Sequence, residues 1–126
     1  MRRMRRSALM FLATAVLAAA LPATSSAAPR TCSSSDLRYP FRAGGPKTFG
    51  VFKLTVEGGS CATAHRVAKR WMTLFEANID RGSTRLPKTA AGFDFKTLPA
   101  QAAQEYRERG RRGSVTVRFV YRVPNG

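Results

Sequence analysis

Hydrophobic and polar positions alternate in some stretches of this chain and follow a helical period in another. From Phe49 to Glu57, Phe52, Leu54 and Val56 recur at every second position opposite Val51, Lys53 and Thr55, and the run stops at Gly58 and Gly59. This predicts a strand that ends in a turn. Ser60 follows at an N-cap position, with a hydroxyl that can accept a hydrogen bond from a free amide of a first helical turn. At 100° per residue, Cys61, Ala64, Val67, Ala68, Trp71, Leu74 and Phe75 share one apolar face, while Arg66, Lys69, Arg70 and Thr73 lie opposite. The segment from Cys61 to about Ala77 is therefore expected to be an amphipathic helix.

Asn78 to Gly92 holds Gly82, Pro87 and Gly92 among polar and basic residues, and predicts a long connection. Phe93 and Phe95 alternate with Asp94 and Lys96, a short strand pattern. Pro99 can occupy the first position of a helix, and Ala100 to Arg109 are mostly good helix formers, so a second short helix is expected, ended by Gly110 to Gly113. From Ser114 to Val123, the residues Val115, Val117, Phe119, Tyr121 and Val123 form one side of a strand with a face to bury. The expected class is α+β, with a small antiparallel sheet of about three strands and one long helix packed across one face. One domain spans residues 49–126, preceded by an extended, loop-like arm over 28–48 in which Tyr39 and Phe41 pack on the body.

The first residues read differently. Arg2, Arg3, Arg5 and Arg6 precede an apolar run of 14 positions from Ala8 to Leu21, followed by the small residues of Ala23–Ala28. This order is that of a secretory signal peptide, and the run is shorter than the roughly 20 residues a spanning helix needs. Ser25 and Ala27 place the cut after Ala27, so residues 1–27 are expected to be removed and the protein to be secreted; Arg5 and Arg6 leave general and twin-arginine export both open. Export also sets the reading of the two cysteines, since outside the cytosol Cys32 and Cys61 are expected to be oxidised to each other. Free thiols or an intermolecular bridge are the alternatives. A disulfide closing a loop of about 30 residues contributes about 3 to 4 kcal/mol in the chain-entropy view, a large share for a small domain.

The sequence Gly59-Ser60-Cys61-Ala62-Thr63-Ala64, followed by Val67, Ala68 and Trp71, resembles a family of small secreted actinobacterial α+β proteins. Members have an early Cys, a strand, a Gly-x-Ser-Cys-x-x-Ala motif that opens a helix, and later strands with Phe-x-Cys and Val-x-Cys. The likeness covers roughly residues 32–123. Phe95 and Phe119 stand where the family pattern has its other two cysteines, which implies that an aromatic pair replaces a strand-to-strand disulfide. It also implies that Leu98 to Gly113 is an insertion. No catalytic or ligand residue is implied by the resemblance.

Charge gives the remaining clues. The 126-residue chain has 22 Lys and Arg against 7 Asp and Glu, a formal +15. Four of these Arg belong to the expected leader, which has no acid, so the exported part retains 18 basic and 7 acidic side chains, or +11. The basic groups fall into two clusters: Arg66, Lys69 and Arg70 on the helix, and Arg107, Arg109, Arg111 and Arg112 before the last strand, extended by Arg118 and Arg122. Such clusters suit an anionic cell-envelope polymer, an acidic protein or, without sequence specificity, nucleic acid. They equally fit an ordinary solvated surface. His65, the only histidine, has no nucleophile or carboxylate nearby in sequence to form a triad, and Glu105 and Glu108 read as ion pairs on a helix surface. No metal site or cofactor is implied. The expected function is a non-catalytic secreted domain that binds an anionic envelope component or acidic partner. The alternatives are an exported inhibitor or interaction protein using the 78–92 loop, and a small secreted nuclease.

Overall fold

The computed structural model describes residues 28–124; the expected leader and its cleavage site at Ala27 lie outside them. The strands are β1 (Arg30–Thr31), β2 (Arg38–Tyr39), β3 (Phe49–Glu57), β4 (Thr89–Ala90), β5 (Phe93–Leu98), β6 (Glu105–Arg112) and β7 (Val115–Arg122). One helix, α1 (Cys61–Asp80), and a single 3-10 turn (Ser35–Leu37) complete the described chain. All strand pairs are antiparallel, in the order β1-β3-β7-β6-β5-β4, with β2 also on β3. The class is α+β as expected, but the sheet is about twice as wide as the pattern indicated.

Helix α1 starts where its cap predicts: Ser60 Oγ accepts from the Thr63 amide at 3.1 Å. It runs one turn further than expected and closes with the Arg81 amide on the carbonyls of Ala77 and Asn78. Its buried residues Ala64, Val67, Ala68, Trp71 and Phe75 cover the inner face of the sheet. There they meet Val51, Leu54 and Val56 of β3, Phe93 and Phe95 of β5, and Val117, Phe119 and Tyr121 of β7. Trp71 lies at the centre, stacked on Phe75 (5.2 Å between centroids) and edge-on to Phe119 and Tyr121 (both 5.3 Å). Each large side chain taken from water to such a site contributes about 1.5–3 kcal/mol.

Three sequence expectations change. The second short helix is absent from the described residues: Glu105 to Arg112 is strand β6, paired on both sides with β5 and β7. Its helix-forming side chains are overruled by two flanking strands that satisfy its backbone groups. In β3 the alternation changes phase. The register shifts between Phe52 and Thr55, where Lys53 takes φ +52°, so Val51, Leu54 and Val56 turn inward and Phe52 outward. A bulge of this kind puts one extra residue into a strand and re-aims the side chains beyond it. The arm, finally, is integrated with the sheet. Cys32 and Leu37 belong to the core, and Gly50 admits the arm backbone, since a Cβ there would lie 2.1 Å from the Leu37 carbonyl oxygen.

Cys32 and Cys61 are joined, fastening the arm to the first turn of α1. Phe95 and Phe119 meet as tilted edges, with centroids 5.9 Å apart. They reach each other across β6, because Phe95 lies over Gly110, where a Cβ would stand 2.6 Å from the ring. Residues 81–88 are a tethered connection: Asn78 Nδ2 donates to the Arg85 carbonyl (2.9 Å), and Leu86 packs on the core.

Candidate functional site

Alternation along the strands directs every second side chain away from α1, and cross-strand register arranges these outward residues in rows. One row is Asp94–Arg111–Thr116–Glu57, and the next is Lys96–Arg109–Arg118–Thr55. Leu98–Arg107–Val120–Phe52 comes third, and Glu105–Arg122–Gly50–Arg38 fourth. The outer face is thus a lattice in which cations outnumber acids, with residues in a row about 5 Å apart and successive rows about 7 Å apart.

The acids on this face neutralise only part of it. Glu57 pairs with Arg118, and Glu105 with Arg122 (2.9 Å). Arg38 and Arg122, both opposite Gly50 in the neighbouring row, place their guanidinium carbons 4.3 Å from the centre of the Phe52 ring and fix that corner. Arg107 donates to the Pro99 carbonyl. Lys53, Lys96, Arg109 and Arg111 have no carboxylate partner among the described residues. In the second row Lys96, Arg109 and Arg118 stand directly opposite one another, an arrangement that costs stability where nothing intervenes. Two concavities open here. One of about 200 Å³ is lined by Lys53, Arg107, Arg118 and Glu105, and one of about 160 Å³ by Asp94, Lys96, Arg109 and Arg111.

The structure therefore divides the residues expected to bind anions. Arg107, Arg109, Arg111, Arg118 and Arg122 come together on the outer face. Arg112, grouped with them by sequence, belongs to the inner side and lies over Gly92 at the end of β6. Arg66, Lys69 and Arg70 are exposed on the far side of α1, separated from the lattice by the helix and the sheet. Lys53 and Lys96 were missing from the sequence grouping. The alternation of Phe93 and Phe95 already pointed Lys96 outward, whereas Lys53 depends on the bulge.

Two acids depart from expectation. Glu105 and Glu108 are on a strand, so three residues of separation puts them on opposite faces. Glu108 is 1% exposed on the inner face, where its Oε1 accepts from Thr97 Oγ1 at 2.7 Å and Oε2 has no partner. Burial pushes its carboxyl up to about 7. His65 does have a carboxylate neighbour: its Nε2 lies 2.6 Å from Asp36 Oδ2, and this hydrogen bond holds Asp36 below the usual carboxylate range. The pair is at the surface, and neither residue lines any of the four cavities described for this molecule. The sequence held no local signal for it, because Asp36 arrives from the arm, 29 residues away.

Comparison with known proteins finds no matching family model, no matching curated protein and no matching solved structure. Among the described residues, no helix is long and apolar enough to cross a membrane.

Proposed function

We propose that this is a secreted, disulfide-stabilised, non-catalytic domain whose outer sheet face binds an anionic polymer of the cell envelope. The observation that carries the reading is the Lys96–Arg109–Arg118 row, where three cations stand side by side and Glu57 alone answers them. A chain of anionic groups laid across the rows relieves that repulsion, and its charges are matched by a rigid lattice. An acidic protein surface is a partner of the same charge class. Secretion rests on the Arg-rich, Ala-rich leader pattern and is compatible with the Cys32–Cys61 bridge. The likeness to small secreted actinobacterial proteins points the same way.

The test is retention on purified anionic wall polymer as salt is raised. Binding is expected to fall steeply from low to high salt, and unchanged retention removes the electrostatic argument. Combined Lys96→Gln, Arg109→Gln and Arg111→Gln should weaken retention about tenfold or more, at roughly 1 kcal/mol or less per charge. The same change at Arg66, Lys69 and Arg70 should leave most of it.

A second reading, an exported inhibitor or interaction protein, rests on residues 81–88, where Asn78 holds the chain so that Thr84 and Arg85 are exposed. Capture of a partner from culture medium that is lost in Arg85→Glu and kept in the outer-face variant would favour it.

A further inference from the structure

The C-terminal half of α1 and the adjoining end of the sheet enclose an open cavity of about 600 Å³, the largest of the four described. Its wall is aromatic: Tyr39, Phe75, Tyr106 and Tyr121 line it, with Phe75 edge-on to Tyr106 (5.4 Å) and to Tyr121 (5.3 Å). Its acidic side is Glu76 and Asp80. Tyr121 is buried and donates from its hydroxyl to Glu76 Oε1 at 3.0 Å. The size lies in the range of small-ligand sites.

The charge here runs against the rest of the molecule and against local helix physics. Three of the seven acids, Asp36, Glu57 and Glu105, have cationic or histidine partners, whereas Glu76 and Asp80 have no ion pair among the described residues. Arg81, next in sequence, donates instead to Asn78 Oδ1 at 2.5 Å. Two carboxylates four apart on a helix repel each other, and Asp80 stands at the negative end of the helix dipole. A cation in the cavity relieves both conflicts, and aromatic faces favour one with an apolar shell.

We propose that this cavity is a binding site for an organic cation of the alkylated ammonium class, held by the half-buried rings of Tyr39 and Tyr106, over a floor of the buried Phe75 and Tyr121, and by the carboxylates of Glu76 and Asp80. Such a group is available from a free small molecule or from a modified lysine side chain of a partner. The site is independent of the outer-face lattice, and its occupancy is expected to survive the outer-face substitutions.

The experiment is an NMR titration of the oxidised chain with benzyltrimethylammonium, with a peptide bearing one trimethyllysine, and with the neutral carbon isostere of the first. The ammonium compound should shift resonances of Tyr106, Tyr121 and the last turns of α1, and the isostere should bind about tenfold more weakly. Tighter binding of the peptide than of the free ammonium identifies a partner side chain as the source; the reverse identifies a small molecule. Glu76→Gln, which keeps an acceptor for Tyr121, and Asp80→Asn should each lower affinity several-fold, with the rest of the spectrum unchanged. Equal binding of cation and isostere, or no shift with either ammonium probe, overturns the proposal.

Discussion

Along strand β6, neighbouring residues enter opposite surroundings. Tyr106, Glu108 and Gly110 face α1, whereas Glu105, Arg107, Arg109 and Arg111 face away from it. The inner face is aromatic and admits one buried acid, which the surroundings drive toward its neutral form. The outer face collects cations and leaves several without counter-charge. One backbone thus supports two surfaces with opposite tolerances: stability resides on the first, and the capacity to hold a charged partner on the second. Substitutions of similar size should therefore have very different effects on the two sides.

The largest effect is expected at Phe119→Ala, which removes the ring that Trp71 and Phe95 both pack against. A loss of about 3–5 kcal/mol by denaturant unfolding is the expected outcome, and a loss below about 1 kcal/mol would break the assignment of stability to the inner face. Next is Glu108→Gln. The folded carboxyl titrates near 7, above its ordinary value of 4.5, so the folded state binds the proton more tightly than the unfolded state does. The stability tied to this group is fully present below about 4.5 and is lost as pH rises through 7, a change on the order of 3 kcal/mol. Glutamine keeps the acceptor for Thr97 and cannot ionise, so the variant should match the wild type at pH 4.5 and exceed it at pH 8 in thermal unfolding. The smallest change is expected at Arg109→Gln on the outer face. It removes the middle one of three like charges in a row, opposite both Lys96 and Arg118, and should raise stability by a few tenths of a kcal/mol at low salt, an increment that salt erases. A loss of 2 kcal/mol there would show that the outer arginines hold the fold together.

Much of this arrangement was legible in the sequence. Strand β3, the Ser60 cap, the buried face of α1 and the inward side of β7 follow from periodicity, because each has one face to bury and repeats accordingly. Strand β6 was illegible for a physical reason. Its inward positions are Tyr106, Glu108 and Gly110, of which only the first has the apolar character that marks a strand, and its outward positions are charged. What makes it a strand is its place between β5 and β7 and the Phe95 ring that needs a glycine beneath it. The phase of β3 failed at the Lys53 bulge, which composition does not announce. The anion-binding group was half legible: periodicity along β7 aligned Arg118 with Arg122, but only the register of β6 joined Arg107, Arg109 and Arg111 to them and sent Arg112 to the other side.

The sheet is bounded on both sides by two-residue strands, β1 on one side and β4 on the other. Past β4, the outer edge of β5 is taken at Phe95 by the Lys88 carbonyl, and beyond it come Lys96 and, at the strand's end, Pro99. A seven-stranded sheet that ends so briefly offers little free backbone to a docking strand, whether from a second copy or from a foreign peptide. Partners of this protein are thereby directed to meet it through side chains on its surfaces, and a concentrated solution of it is protected from growing edge to edge into fibres.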